Sequence, residues 1–313
     1  MKLQALGRRF LQIIIVLFGV SFLTFSLTYL APGDPVRTMY AASGVMPSEE
    51  VLEAMREQLG LNRPFLVQYG SWLLNCLQGD FGTSFATGRP VAATLLARLW
   101  PTLKLALLSL LLMLVVSLPA GMLAALKQNR WPDYLVRACT FFGVSMPNFW
   151  VGLLLIYLLA LKLNWLPVTS INGGFERLIM PALTLAFAMS AKYTRQVRAA
   201  VLEELRQDYV IGARCRGLKE STILWRHVFP NALLPLITLL GLSLGSLLGG
   251  TAVVETIFSY PGLGSLAVSA ITAHDYYLIQ GVVLWIALIY MLINLLVDIS
   301  YNYLDPRLRE KRC

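Results

Sequence analysis

Ionisable side chains are scarce in this 313-residue chain: Asp, Glu, Lys and Arg together make up 14%, against about 25% in ordinary soluble domains. That deficit excludes a pair of soluble domains, which the length alone would allow, and it excludes disorder, which needs polar sequence. Cysteine is also sparse. Cys76, Cys139, Cys215 and Cys313 fall in four separate regions with no C-x-x-C pair, so no disulfide framework and no zinc site follow from them. The two histidines, His227 and His274, lie far apart, and metal ligation by this chain is not expected. The G-x-x-x-x-G-K-[ST] phosphate loop is missing, as are H-E-x-x-H and S-x-x-K. No catalytic residue is expected, and nucleotide binding by a phosphate loop is excluded.

What the chain has instead is apolar length. Hydrophobic residues make up 57%, and the stretches 10–33, 105–126, 138–161, 227–254 (apart from His227) and 276–297 hold no Asp, Glu, Lys or Arg. Each runs 22 to 28 residues, and about 20 predominantly apolar residues span a bilayer as a helix. The first stretch exceeds a cleavable signal core of roughly 7–15 residues and runs into Ala31-Pro32-Gly33-Asp34-Pro35, so it reads as a retained span. The uncertain segment is 178–191, only 14 residues long. If it crosses, with Lys192, Arg195 and Arg198 snorkelling to the interface, 18 of the 26 Lys and Arg residues share one side and seven the other. That asymmetry matches the positive-inside bias. The net charge of +9 therefore reads as membrane orientation and lipid contact, with no nucleic-acid partner.

The fold class expected is an all-α polytopic membrane protein with about six transmembrane helices and both termini cytoplasmic. Residues 1–9 form the cytoplasmic start, 10–31 the first span, and 32–100 a long extracytoplasmic cap. Residues 101–313 form the main transmembrane domain, with later spans near 101–126, 136–161, 178–198, 231–255 and 277–303. In the cap, Ser48 is placed to cap a helix over 49–59 that Gly60 ends. His274 beside Asp275 reads as a helix-end contact. Between the fourth and fifth spans the segment 203–227 predicts a short helix over Tyr209–Arg216 with Asp208 as its N-cap, a turn at Gly217 able to take positive φ, and a second short helix, about 219–227, stopping at Pro230 and Asn231. This makes a rigid cytoplasmic knob with Leu218 and Ile223 exposed for docking. An interfacial amphipathic loop on anionic lipid is the alternative.

The fifth span repeats small residues: Gly241, Gly245, Gly249 and Gly250, with Ser243 and Ser246 between. Glycine at four-residue spacing allows close helix packing; a pathway lined by small side chains is the second reading, and the two are compatible. Ionisable groups within the spans are few, with Lys104, Glu255 and Asp298 near their ends. Ion-driven carriers rely on buried carboxylates or discontinuous helices. A solute moved uphill here would need energy from another subunit, and a secondary carrier or channel without such a partner is the competing reading.

At the knob the chain resembles inner-membrane permeases of ABC importers. Their signature spacing is kept by Ile211-Gly212-Ala213, Gly217 and His227-Val228-Phe229-Pro230, although Ile211 and Gly212 stand where the signature has Glu-Ala. The branch importing dipeptides, oligopeptides and nickel uses a variant met by Asp208, Tyr209, Val210, Ala213, Arg214, Gly217 and Leu218. Further segments similar to that branch run the whole chain, including Pro32-Gly33-Asp34-Pro35, Gly79-Asp80-Phe81-Gly82, Ser145-Met146-Pro147-Asn148-Phe149, Pro261-Gly262-Leu263-Gly264 and Leu304-Asp305-Pro306-Arg307. The start and the long outer loop resemble the first of the branch's two paired permeases. The resemblance implies a bacterial inner-membrane location, a second homologous permease, cytoplasmic ATPases that bind the ATP, and an extracytoplasmic solute-binding protein; no cofactor of this chain itself is implied. It places Tyr209, Ala213, Arg214, Gly217, Leu218 and Pro230 at the ATPase contact. The substrate implied is a short peptide or nickel, free or chelated.

Overall fold

The computed structural model describes residues 3–34, 36, 37, 40, 47–170 and 174–304. Helices dominate, and the chain divides into two compact units, one of residues 1–102 with 261–291 and one of 103–260 with 292–313. Helices Gly7–Leu30, Val91–Leu126, Glu220–Gly245 and Tyr276–Ser300 are each long and apolar enough to cross a membrane, and the bent pair Trp131–Ser145 and Asn148–Lys162 qualifies jointly.

In the first unit, α1 (Leu3–Leu30), α2 (Glu49–Gln58) and α3 (Phe65–Leu77) gather around an aromatic cluster. Phe25, Tyr69 and Trp72 are buried together, Tyr69 meets Phe22 edge to face at 5.3 Å, and its hydroxyl lies 2.9 Å from Ser21 Oγ. Such ring pairs add about 0.5–1.5 kcal/mol beyond the area they bury. Ser48 does precede α2 in extended conformation, but its side chain makes no cap hydrogen bond; Glu49 and Glu50 in the first turn favour the helix start through its dipole. Gly60, at φ +69°, ends that segment as the sequence predicts. Asp34 is held by Arg56. Burial alone would raise the Asp34 carboxyl, but hydrogen bonds from Arg56 and the Val36 amide outweigh it and hold the group below its ordinary range.

Val91–Leu126 forms α4, whose residues from 103 onward belong to the second unit. Here α5 (Trp131–Ser145) and α6 (Asn148–Leu155), the latter continued by a π-helical turn over Ile156–Lys162, precede α7 (Glu176–Leu205). The segment read as one span near 136–161 is in fact broken: α5 and α6 meet at 99°. Proline disfavours helical dihedrals in the residue before it, and Met146, before Pro147, sits at φ −84°, ψ 127°. A search for charge-free runs passes over this break because proline is uncharged.

α7 is the ambiguous short segment, and it is the helix on which the second unit is organised. Its apolar run is short but the helix itself has 30 residues, roughly 45 Å at 1.5 Å per residue. Thirteen of its residues are buried, among them Thr184, Ser190 and Thr194. Protein neighbours, rather than lipid, solvate such a helix, so its sequence can be more polar than that of a lipid-facing span. Two neighbours come close because they are glycines. A Cβ on Gly121 of α4 would lie 2.6 Å from Val197 Cβ, and one on Gly143 of α5 would lie 2.6 Å from Ala191 Cβ. Polar ties fix the register. Tyr193 Oη donates to the Leu236 carbonyl at 2.6 Å, and Arg198 Nε and Nη2 donate to the two oxygens of Asp133 at 2.7 and 2.8 Å.

The chain continues through α8 (Asp208–Cys215), α9 (Glu220–Ile223) with a π-turn over Leu224–Val228, and α10 (Phe229–Ile257). It closes with α11 (Leu263–Thr272), which belongs to the first unit, and α12 (Tyr276–Leu304). Asp275 sits at the start of α12, fully buried. It accepts Leu278 N–H, Ser84 Oγ–H and Ala86 N–H, so it is a helix-end contact, as expected. On α10 a Cβ at Gly241 would lie 2.4 Å from a methyl of Val297 on α12, which shows close packing at that position. Gly245 and Ser243 are half-buried; the side-chain surroundings at Ser246, Gly249 and Gly250 lie outside the described residues.

Candidate functional site

The knob between α7 and α10 is built on apolar anchors. Val210 and Ala213, three apart on α8, point into the same cluster as Ile223 and Val228, together with Val197 and Val201 of α7 and Ala232 and Leu236 of α10. An eight-residue helix has little stability of its own, so this seating is what orders it.

Its end is a Schellman turn. Gly217 N–H donates to the Arg214 carbonyl at 2.9 Å and Leu218 N–H to the Ala213 carbonyl at 3.3 Å. Gly217 takes φ +77°. A side chain there would meet nothing within 4 Å, so glycine is required by the backbone dihedral alone. Across this turn Arg214 forks onto Glu220, Nε to Oε1 at 2.7 Å and Nη2 to Oε2 at 3.2 Å. Both side chains are exposed, so the pair adds about 0–1 kcal/mol and serves to orient α9 on α8. Tyr209 ties the base: its hydroxyl donates to Glu204 Oε2 at 2.6 Å and accepts from Asn231 Nδ2 at 3.3 Å, and the same Asn231 amide reaches the His227 carbonyl at 3.0 Å.

Several expected details differ. Gln207, not Asp208, occupies the extended cap position, and Asp208 opens the helix. Ile223 is fully buried and not exposed, because it faces Val210 and Ala213. Ala213 is buried as well, so it seats the knob and offers no surface. The second short helix does not stop at Pro230. It passes through the π-turn into α10 with Pro230 in the first turn, and the widened turn before it makes room for the ring. The knob's far side is thus rigidly continuous with α10.

The surface that remains carries Arg214, Gly217, Leu218 and Pro230 from the expected set. Sequence reading passed over Ile211 and Trp225, exposed by 52% and 57%, and the tying residues Glu204, Glu220 and Asn231. One of these had a readable signal: Glu220 stands six residues after Arg214, on the other side of a glycine turn that brings such positions together. Trp225 stacks edge to face on Phe229 at 5.3 Å, which fixes its ring while leaving it in the open. The arrangement is an apolar-and-basic protrusion, rooted in α7, α8 and α10, with the Cys215 thiol exposed at the end of α8.

Residues 117–310 match the family described as the binding-protein-dependent transport system inner membrane component, and residues 2–106 match its N-terminal membrane component. The chain belongs to this family of ABC importer permeases. Within it, the glutathione transport system permease protein GsiC of Escherichia coli strain K12 is 39% identical over 97% of this chain and 98% of its own length. GsiC of Shigella flexneri serotype 5b is 38% identical over the same shares. These relatives place the chain in the peptide and nickel branch of the family and in the bacterial inner membrane, as a multi-pass permease subunit. The same fold appears in the MetNI methionine ABC transporter in an inward-facing conformation, with 20% identity and a TM-score of 0.59 over 68% of this chain and 96% of that one. An amino acid ABC transporter crystallised with histidines is similar at 17% identity, with a TM-score of 0.51 over 69% and 94%.

Proposed function

We propose that this permease forms one half of the pathway through which an ATP-driven importer takes up short peptides. Cytoplasmic ATPases grip the 204–231 knob, a second permease of the same kind completes the pathway, and an extracytoplasmic solute-binding protein delivers the cargo. The observation that carries the peptide reading is the 39% identity, over nearly the full length, with permeases named for glutathione transport; glutathione is itself a tripeptide. The coupling reading is supported by the construction of the knob: seated by buried side chains, closed by a Schellman turn, clipped by Arg214–Glu220 and continuous with α10. A push on Trp225, Leu218 or Arg214 is thereby passed to α10, and through Tyr193–Leu236 to α7. ATP belongs to the partner subunits, and the permease itself carries no cofactor. The small residues of α10, Gly241 and Gly245 on one face and Ser243 on the opposite one, are proposed as packing surface and pathway wall together.

The test is uptake in proteoliposomes holding the permease, its partner permease, the ATPases and the binding protein. Labelled tripeptide should accumulate only with ATP inside, and omission of the ATPases should abolish it. Equal uptake by this chain alone without ATP would overturn the proposal in favour of a self-sufficient carrier, and accumulation of Ni²⁺ but no peptide would overturn the substrate assignment.

A further inference from the structure

The first unit encloses a cavity of about 610 Å³ between α1, α2, α3, the 80–85 segment and the start of α12, within the roughly 300–1,000 Å³ range of small-molecule sites. Three of its lining side chains are more than nine-tenths buried and hold a polar atom without a hydrogen-bond partner among the described residues: Trp72 Nε1, Tyr276 Oη and Gln280 Oε1. Buried polar groups are nearly always paired, so three orphans around one cavity are unusual. Their chemistry is defined. The Trp72 indole can only donate. Gln280 is oriented by its other end. The Thr28 hydroxyl already donates to the carbonyls of Thr24 and Phe25, so it accepts from Gln280 Nε2 at 2.6 Å, which leaves Oε1 as the unused acceptor. Tyr276 Oη can do either. Asp34, Asp80 and Arg56 also line the space, giving it charge of both signs.

We infer that this cavity is a binding site for a short peptide on the permease itself. A peptide carbonyl would accept from Trp72, a peptide N–H would donate to Gln280 Oε1, and Tyr276 would pair with a second amide. This rests on the proposed transport of peptides but adds a place where the permease itself holds the cargo, outside any binding protein.

The test uses the full-length chain in nanodiscs, without ATPases or binding protein, titrated with trialanine by calorimetry. Saturable binding is expected, weakened about tenfold in W72F and again in Y276F, the size of loss expected for one hydrogen bond to a buried group. Tyr276 Oη has no partner among the described residues, so thermal unfolding of unliganded Y276F should match that of the parent, which separates a lost contact from a damaged fold; W72F also removes packing from the Phe25–Tyr69–Trp72 cluster and is read by its binding alone. No saturable binding to the parent chain, or affinity unchanged in both variants, would overturn the inference. So would native mass spectrometry showing a phospholipid in place of the peptide, lost in W72F and Y276F. Either of these with ATP-driven uptake intact in the complete transporter removes this site and leaves the transport function standing, whereas loss of uptake in the parent complex removes the function itself.

Discussion

Replacing Gly217 with proline is expected to lower ATP-driven uptake about a hundredfold while the protein still inserts in the membrane at normal abundance. Proline fixes φ near −65°, against +77° here, and lacks the N–H that Gly217 donates to the Arg214 carbonyl at 2.9 Å. A helix-breaking proline costs about 3 kcal/mol or more, and each 1.4 kcal/mol is a factor of ten. The structure also sets an order among milder changes. With open space around position 217, size should not matter and tolerance of positive φ should. Asparagine, which enters that region most readily after glycine, should keep uptake within about threefold of the parent. Alanine should lose several-fold, and valine, β-branched and poorly suited to positive φ, about tenfold. Uptake and peptide-stimulated ATP hydrolysis, normalised to the permease present, give the order. A ranking that followed side-chain volume instead would contradict the dihedral argument.

The second large effect concerns Asp133. This carboxylate is fully buried and Arg198 is 21% exposed; Asp133 also accepts the Asn129 N–H at 2.9 Å, where Asn129 itself holds φ +58°. Breaking a buried pair by removing one partner costs about 3–5 kcal/mol, because the other charge is left without compensation. D133A should therefore lower the midpoint of thermal unfolding in detergent by roughly 10 °C. The double variant D133A/R198A should recover a good part of that loss, since no uncompensated charge remains. If D133A behaves like the double variant, the pair does not hold α5 to α7 in the way described.

The knob was legible in the sequence where local chemistry decides it. A short amphipathic run, an acid at its start and a glycine at its end lead to α8 and to positive φ at Gly217. Its orientation was not legible. In a helix of two turns the pattern does not say which apolar residues face inward, and Ile211 and Ile223 exchanged roles: the one assigned to the surface is buried and the one passed over is exposed. The π-turn before Pro230 was hidden for a related reason, since it depends on keeping Val228 in the core while the helix continues into α10. The break at Met146-Pro147 stood in the sequence as a proline inside an uncharged run, but the absence of charge alone does not reveal it. The outer cavity could not be read at all, because Trp72 and Gln280 are brought together only by the packing of α1, α3 and α12. Central α7 shows the converse: its short apolar run signalled burial against other helices, not a failed span.

The account depends most on the knob facing the cytoplasm, where an ATPase can reach it. Cys215, exposed at the end of α8, tests this directly once Cys76, Cys139 and Cys313 are replaced by serine. A membrane-impermeant maleimide should label Cys215 in inverted vesicles, should fail to label it in right-side-out vesicles, and should be excluded when the ATPases are bound. Labelling from the outer face, in sealed right-side-out vesicles, would contradict the account at its centre.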